Sequence, residues 1–182
     1  MSEKKTLYFS RIREVIAPQR GTKESAGIDF FMPKFTETFL TDLKAKNPNI
    51  SEIREGSYSY YIDETNKRIL LGAHERLLIP SGIKIRGHEN IAINAHNKSG
   101  VASKKGLDRL AECVDFDYQG ELHSNIVNTS NYIVEICEDE KLLQFLECKI
   151  DMSELQELLI DDLFLTETDR GEGGFGSTNK KN

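Results

Sequence analysis

The chain has 182 residues, 38% of them apolar and 30% charged, with a formal net charge of −6 at pH 7. That length suits one domain with limited decoration. The acidic balance argues against broad contact with nucleic acid or an anionic membrane, so positive charge meeting an anionic ligand has to be local.

Residues 6–16 include an alternating section and read as a strand, and 18–25 as a polar loop. Residues 26–33 form a short apolar run carrying one carboxylate, Asp29, which on its own reads as a turn or edge residue. From Thr36 to Lys46 the period becomes helical: Phe39, Leu40 and Leu43 line one face, Thr36 or Thr38 offers an N-cap, and Asn47-Pro48 a stop. Residues 57–62 and 68–71, around Asp63-Glu64-Thr65-Asn66, read as a hairpin. A helix plus a hairpin between β segments is expected to be an insertion, at about 34–66. Two further β regions, 76–86 and 90–95, are broken by Pro80-Ser81-Gly82 and Gly87-His88.

Residues 97–106 hold Lys98, Lys104 and Lys105 with Ser99 and Gly100. They read either as an exposed basic loop or as amides and a lysine that cradle a phosphate. Residues 111–121 suit a hairpin with Asp115 just before the bend and Tyr118 at its tip. That stretch is either a solvated turn or a base beside a ring that meets a flat or sugar-like ligand. Gln144 lies in an apolar strand, 142–150, where a polar side chain needs a partner. Asp151 or Ser153 is expected to cap a short helix holding Leu155, Leu158 and Leu159.

The tail, 170–182, places four glycines within 171–176, beside Arg170, Phe175, Ser177 and Thr178. A lid that orders over a ligand accounts for both the glycines and the functional side chains. The lysine of a Walker-type phosphate loop is missing before Ser177. The four histidines have no metal-binding spacing, and Cys113, Cys137 and Cys148 read as reduced thiols. With short apolar runs and a polar start, neither a spanning helix nor a signal peptide is expected, which points to the cytoplasm.

Five segments in order resemble the five motifs of the trimeric dUTPase family: Ala26-Gly27-Ile28-Asp29, the 98–104 run, the 114–121 run, the Gln144 strand, and the 170–178 tail. The resemblance covers the chain apart from about 34–66 and a lengthened link at about 151–167. It implies an all-β, jelly-roll-like distorted barrel over residues 1–169, a homotrimer with three shared active sites, and a flexible C-terminal lid at 170–182. It also implies hydrolysis of dUTP to dUMP and pyrophosphate with Mg²⁺ on the triphosphate.

Residue by residue, the resemblance gives Asp115 as the base and Tyr118 as the ring under the deoxyribose, where a 2′-hydroxyl would clash. Backbone groups around Cys113 would read uracil. Lys98, Ser99, Gly100 and Gln144 would bind phosphates, as would Arg170, Ser177 and Thr178 of the tail; Gly176 lies among them, and Phe175 would stack on uracil. Asp29 would hold water around the metal. The sequence departs from the family where Lys98 replaces an arginine, Glu112 a glycine and Asn97 a proline. These departures and the insertion lean toward a phage member. The alternatives are a dCTP deaminase-like enzyme of the same fold and a regulatory protein that grips a partner through the insertion.

Overall fold

The computed structural model describes residues 6–48 and 60–173. Among them, strands form four antiparallel sheets rather than a closed barrel. The sheet that matters most for the site runs in the order β10 (Cys113–Val114), β8 (Ile91–Asn97), β13 (Lys141–Lys149), β3 (Ile28–Phe31) and β2 (Gln19–Arg20). A second sheet joins β6 (Arg76–Pro80), β11 (His123–Asn128) and β9 (Leu107–Arg109). A third joins β12 (Val134–Cys137), β5 (Arg68–Leu71) and β4 (Tyr60–Asp63). The last is a ribbon of β1 (Tyr8–Arg11) and β7 (Ile83–Arg86).

Period-two patterning sets which side chains face inward. Along β11, Ser124, Ile126 and Asn128 are buried and alternate with partly exposed neighbours. Phe30, Met32, Ile69, Leu71, Leu77, Ile79, Ile136 and Phe145 belong to the same apolar cluster. Buried Asn128 is tolerated because its amide donates to the carbonyls of Leu71, Gly72 and Tyr132.

Helix α1 (Glu37–Lys46) starts where Thr36 Oγ1 accepts the Phe39 amide at 3.3 Å. It stops at Asn47, whose side-chain amide donates to Leu43 O and Leu78 O at 2.7 and 2.9 Å. Phe39 and Leu43 are fully buried, so this part of the expected insertion supplies core rather than decoration. The expected hairpin around 63–66 is present as β4 and β5, and β5 continues the sheet by pairing with β12. Residues 57–59 of its first arm lie outside the described residues.

Three local expectations need correction. Residues 98–106 are not a loop but helix α2 (Ser99–Lys105), ended by Gly106 in the left-handed region. Residues 113–121 do turn, with the Tyr118 amide donating to Asp115 O at 3.2 Å, but β10 pairs with β8 instead of with a returning arm. The helix near the C-terminus is α3 (Ile160–Leu163), with no side-chain cap; Leu155 and Leu159 precede it and are exposed. Helical spacing without burial did not suffice to form a helix over 153–159.

The chain divides into two compact units, Met1–Asp151 and Met152–Asn182. The first carries the four sheets. No helix among the described residues is long and apolar enough to cross a membrane.

Candidate active site

One end of the five-stranded sheet gathers residues from three distant segments. Asp29 on β3 is directly opposite Gln144 on β13, which is in turn opposite His96 on β8. Asp29 is only 4% exposed, and an ionised carboxylate there requires partners. Lys98 Nζ donates to its Oδ1 at 2.5 Å and Lys141 Nζ approaches Oδ2 at 2.9 Å. Burial pushes the Asp29 carboxyl up, but hydrogen bonds from Lys141 and Lys98 outweigh that effect and hold it below its ordinary value. Gln144 Nε2 donates to Asn97 O at 3.0 Å.

Gly27 makes this arrangement sterically possible. A Cβ there would sit 2.1 Å from Gln144 Oε1, so any larger residue would displace the glutamine side chain from this position. Lys98 is the N-cap of α2 and is extended, which places Ser99 and Gly100 in the first turn. Their amides precede the helix's own acceptors and point outward as donors.

The 113–121 segment is built differently. Asp115, Phe116, Asp117 and Tyr118 are all exposed on an edge of the same sheet. Tyr118 folds back so that its hydroxyl donates to Glu121 O at 3.1 Å, and a Cβ on Gly120 would meet that hydroxyl at 2.2 Å. A cavity of about 390 Å³ beside this turn is lined by Tyr8, Phe9, Lys84, Arg86, Phe116 and Tyr118 among others. Asp115, Lys98 and Gln144 do not line it.

Register separates the two groups. In the β10–β8 ladder Cys113 faces Asn94 and Val114 faces Ile93, so β10 runs away from Lys98. Asp115 follows beyond Val114, whose partner Ile93 is five positions from Lys98, a span of about 16 Å at roughly 3.3 Å per residue. A base has to reach its proton at hydrogen-bond distance, directly or through one water. In this register Asp115 and Lys98 of one chain lie apart along β8.

A family model described as dUTPase matches residues 50–179. The chain belongs to the dUTPase family. The deoxyuridine 5′-triphosphate nucleotidohydrolase of Fusobacterium nucleatum is 40% identical over 114 residues, covering 62% of this chain and 75% of that protein. In fold, the chain resembles a mutant dUTPase of Staphylococcus bacteriophage 80alpha with dUpNHpp: TM-score 0.68, 19% identity, covering 95% of this chain and 98% of that one. A phage phi11 dUTPase mutant whose structure concerns a structural Mg(II) ion matches with TM-score 0.60 and 20% identity, over 84% and 96% of the two chains.

Within this dUTPase fold, Asp29, Lys98 and Gln144 come together, whereas Asp115, Cys113 and Tyr118 form a separate group. Arg170 Nε donates to Gly173 O at 2.8 Å within the second unit. Phe175, Gly176, Ser177 and Thr178 lie outside the described residues. The sequence reading missed Lys141. A register shift on β13 between Lys141 and Gln144 opposes Leu142 and Leu143 to Phe30 alone, and Lys141, paired in the ladder with Phe31, reaches Asp29 Oδ2. Asn97, one of the departures, is also structural: its Nδ2 donates to Asp108 at 2.6 Å and its Oδ1 accepts the Arg109 amide at 3.1 Å. Glu112 pairs with Arg109 and its carbonyl accepts the Ala95 amide.

The described residues contain no set of three His, Cys, Asp or Glu side chains arranged to hold a cation. Both Asp29 oxygens already face lysine ammonium groups. In this geometry Asp29 anchors Lys98 and Lys141.

Proposed function

We propose that the chain hydrolyses dUTP to dUMP and pyrophosphate, with sites shared between subunits of a homotrimer. The convergence of residues 26–29, Lys98 and Gln144 on one sheet end carries this reading, because it concentrates donors and positive charge where an acidic protein would otherwise repel a polyanion. Roughly four negative charges on a triphosphate need such fixed, preorganised partners. Lys98, Ser99, Gly100 and Gln144 bind the phosphates, and Asp29 with Lys141 keeps Lys98 aimed.

Asp115 of another copy takes a proton from a water in line with the α-phosphorus. The water oxygen bonds to that phosphorus, the bond to the bridging oxygen breaks, and pyrophosphate leaves. The Tyr118 ring lies beneath the deoxyribose and backbone groups near Cys113 read uracil. Arg170, Phe175, Gly176, Ser177 and Thr178 close over the nucleotide. Mg²⁺ enters with the triphosphate as part of the substrate and supplies charge neutralisation there. Turnover lowers dUTP and supplies dUMP for dTTP synthesis.

Product analysis with Mg²⁺ and, separately, dUTP, dCTP, dTTP and UTP tests the reading. Conversion of dUTP alone to dUMP and pyrophosphate is expected. Deamination of dCTP would replace it with the sister activity, and no turnover from folded protein would overturn it.

A further inference from the structure

Arg13 follows β1 and lies outside every segment assigned a role above. Its guanidinium forms a two-point fork on Glu121, Nε to Oε1 and Nη2 to Oε2, both at 2.8 Å. The same Nη2 reaches Asp42 Oδ2 on α1 at 2.5 Å. Glu121 Oε1 additionally accepts the Gly82 amide at 2.7 Å. The side chains of Arg13 and Glu121 are 13% and 12% exposed, so this is no solvated surface pair. The hydrogen bond to Glu121 is the chief reason the Arg13 guanidinium is held above its ordinary pKa, and burial alone would push the Glu121 carboxyl up were Arg13 not there to hold it down.

The residue that accepts the fork also holds Tyr118. Glu121 gives its carboxylate to Arg13 and its carbonyl to the Tyr118 hydroxyl. Tyr118 is 44% exposed on an edge turn, where packing alone leaves a ring free to tilt. Fixing Glu121 at its side chain fixes the oxygen that holds the ring. A lysine cannot reproduce this, since a single ammonium has no planar fork.

We infer that Arg13 is a positioning residue that sets the height of the Tyr118 ring, and thereby the discrimination between deoxyribo- and ribonucleotides, with Asp42 tying that setting to helix α1. The inference rests on the reading of Tyr118 as the surface beneath the sugar. A small displacement of the ring opens space for a 2′-oxygen and relaxes its grip on the deoxyribose, so the two substrates respond in opposite directions. General loosening of the fold would instead lower activity on both alike.

The test measures kcat/KM for dUTP and UTP with the wild type, Arg13→Lys, Asp42→Asn, Tyr118→Phe and the Arg13→Lys/Tyr118→Phe pair, each checked by thermal melting. Arg13→Lys is expected to lower the dUTP-to-UTP ratio about tenfold. Asp42→Asn, which leaves the fork intact, is expected to lower it about threefold, and the double variant to fall no further than Tyr118→Phe alone. A folded Arg13→Lys protein with an unchanged ratio, or additive effects in the double variant, would overturn the inference. Should Arg13→Lys fail to fold, an unchanged ratio in Asp42→Asn overturns it equally. A wild type that does not prefer dUTP would instead remove the reading of Tyr118 on which the inference stands.

Discussion

The Asp29 end of the five-stranded sheet and the Asp115 turn at its edge, proposed to serve the phosphates and the attacking water, are built on opposite principles. Around Asp29 the parts are buried or half-buried, cross-strand and mutually satisfied: a carboxylate between two lysines, a glutamine on a carbonyl, and a glycine that makes room for it. Around Asp115 the parts are exposed, on a two-residue edge strand and a turn. Concentrating positive charge requires a preorganised frame, because mobile lysines would be screened and would lose affinity. A base needs only access to water and to the reacting atom. On the proposed function each end is half a site, and in the register of β10 on β8 the strand runs away from Lys98.

The largest effect is expected at the exposed end. Asp115→Asn should lower turnover by about a thousandfold, within the usual range for a general base, while calorimetry finds dUTP binding and melting little changed. A loss of fold together with binding would mean that Asp115 is structural and erase the contrast. Next comes Gly27→Ala. The new Cβ must displace Gln144, and KM for dUTP should rise about tenfold with kcat affected less. An unchanged KM would show that the phosphate end does not depend on its packing.

The smallest effect concerns stability. Asp29 titrates below its ordinary 3.8 in the folded chain, so its contribution is present above that value and is lost as pH falls through the lower folded one. Lys141→Met should cost about 1 kcal/mol in urea unfolding at pH 7, since the lysine is 40% exposed and screened, and this difference from wild type should shrink below pH 4. A difference that persists undiminished in strong acid would assign the loss to packing rather than to charge.

How much was legible in the sequence follows from the range of the interactions. The start of α1 at Thr36 and its stop at Asn47 are local chemistry, and the chain declares them. The alternating runs marked most strands for the same reason. The partner of β10 is a long-range choice: turn residues at 117–120 announce a bend but not that Cys113 pairs with Asn94. Helix α2 buries no residue, which deprives it of an apolar stripe to read. Lys141 was hidden by the shift on β13, since simple alternation puts residues three apart on opposite faces. Motif likeness points to Asp29, Lys98 and Gln144, but the anchoring of Lys98 and Lys141 by Asp29 depends on the three-dimensional packing.

Subunit complementation tests the divided site most directly. Asp115→Asn and Lys98→Met chains, each inactive alone, are mixed by co-refolding and assayed on dUTP. If each site takes Asp115 from one copy and Lys98 from another, about a quarter of the sites in an equal mixture are intact, and activity returns to about that fraction of wild type. A mixture as inactive as its parents would place both residues in a site formed by one chain, and would contradict the account.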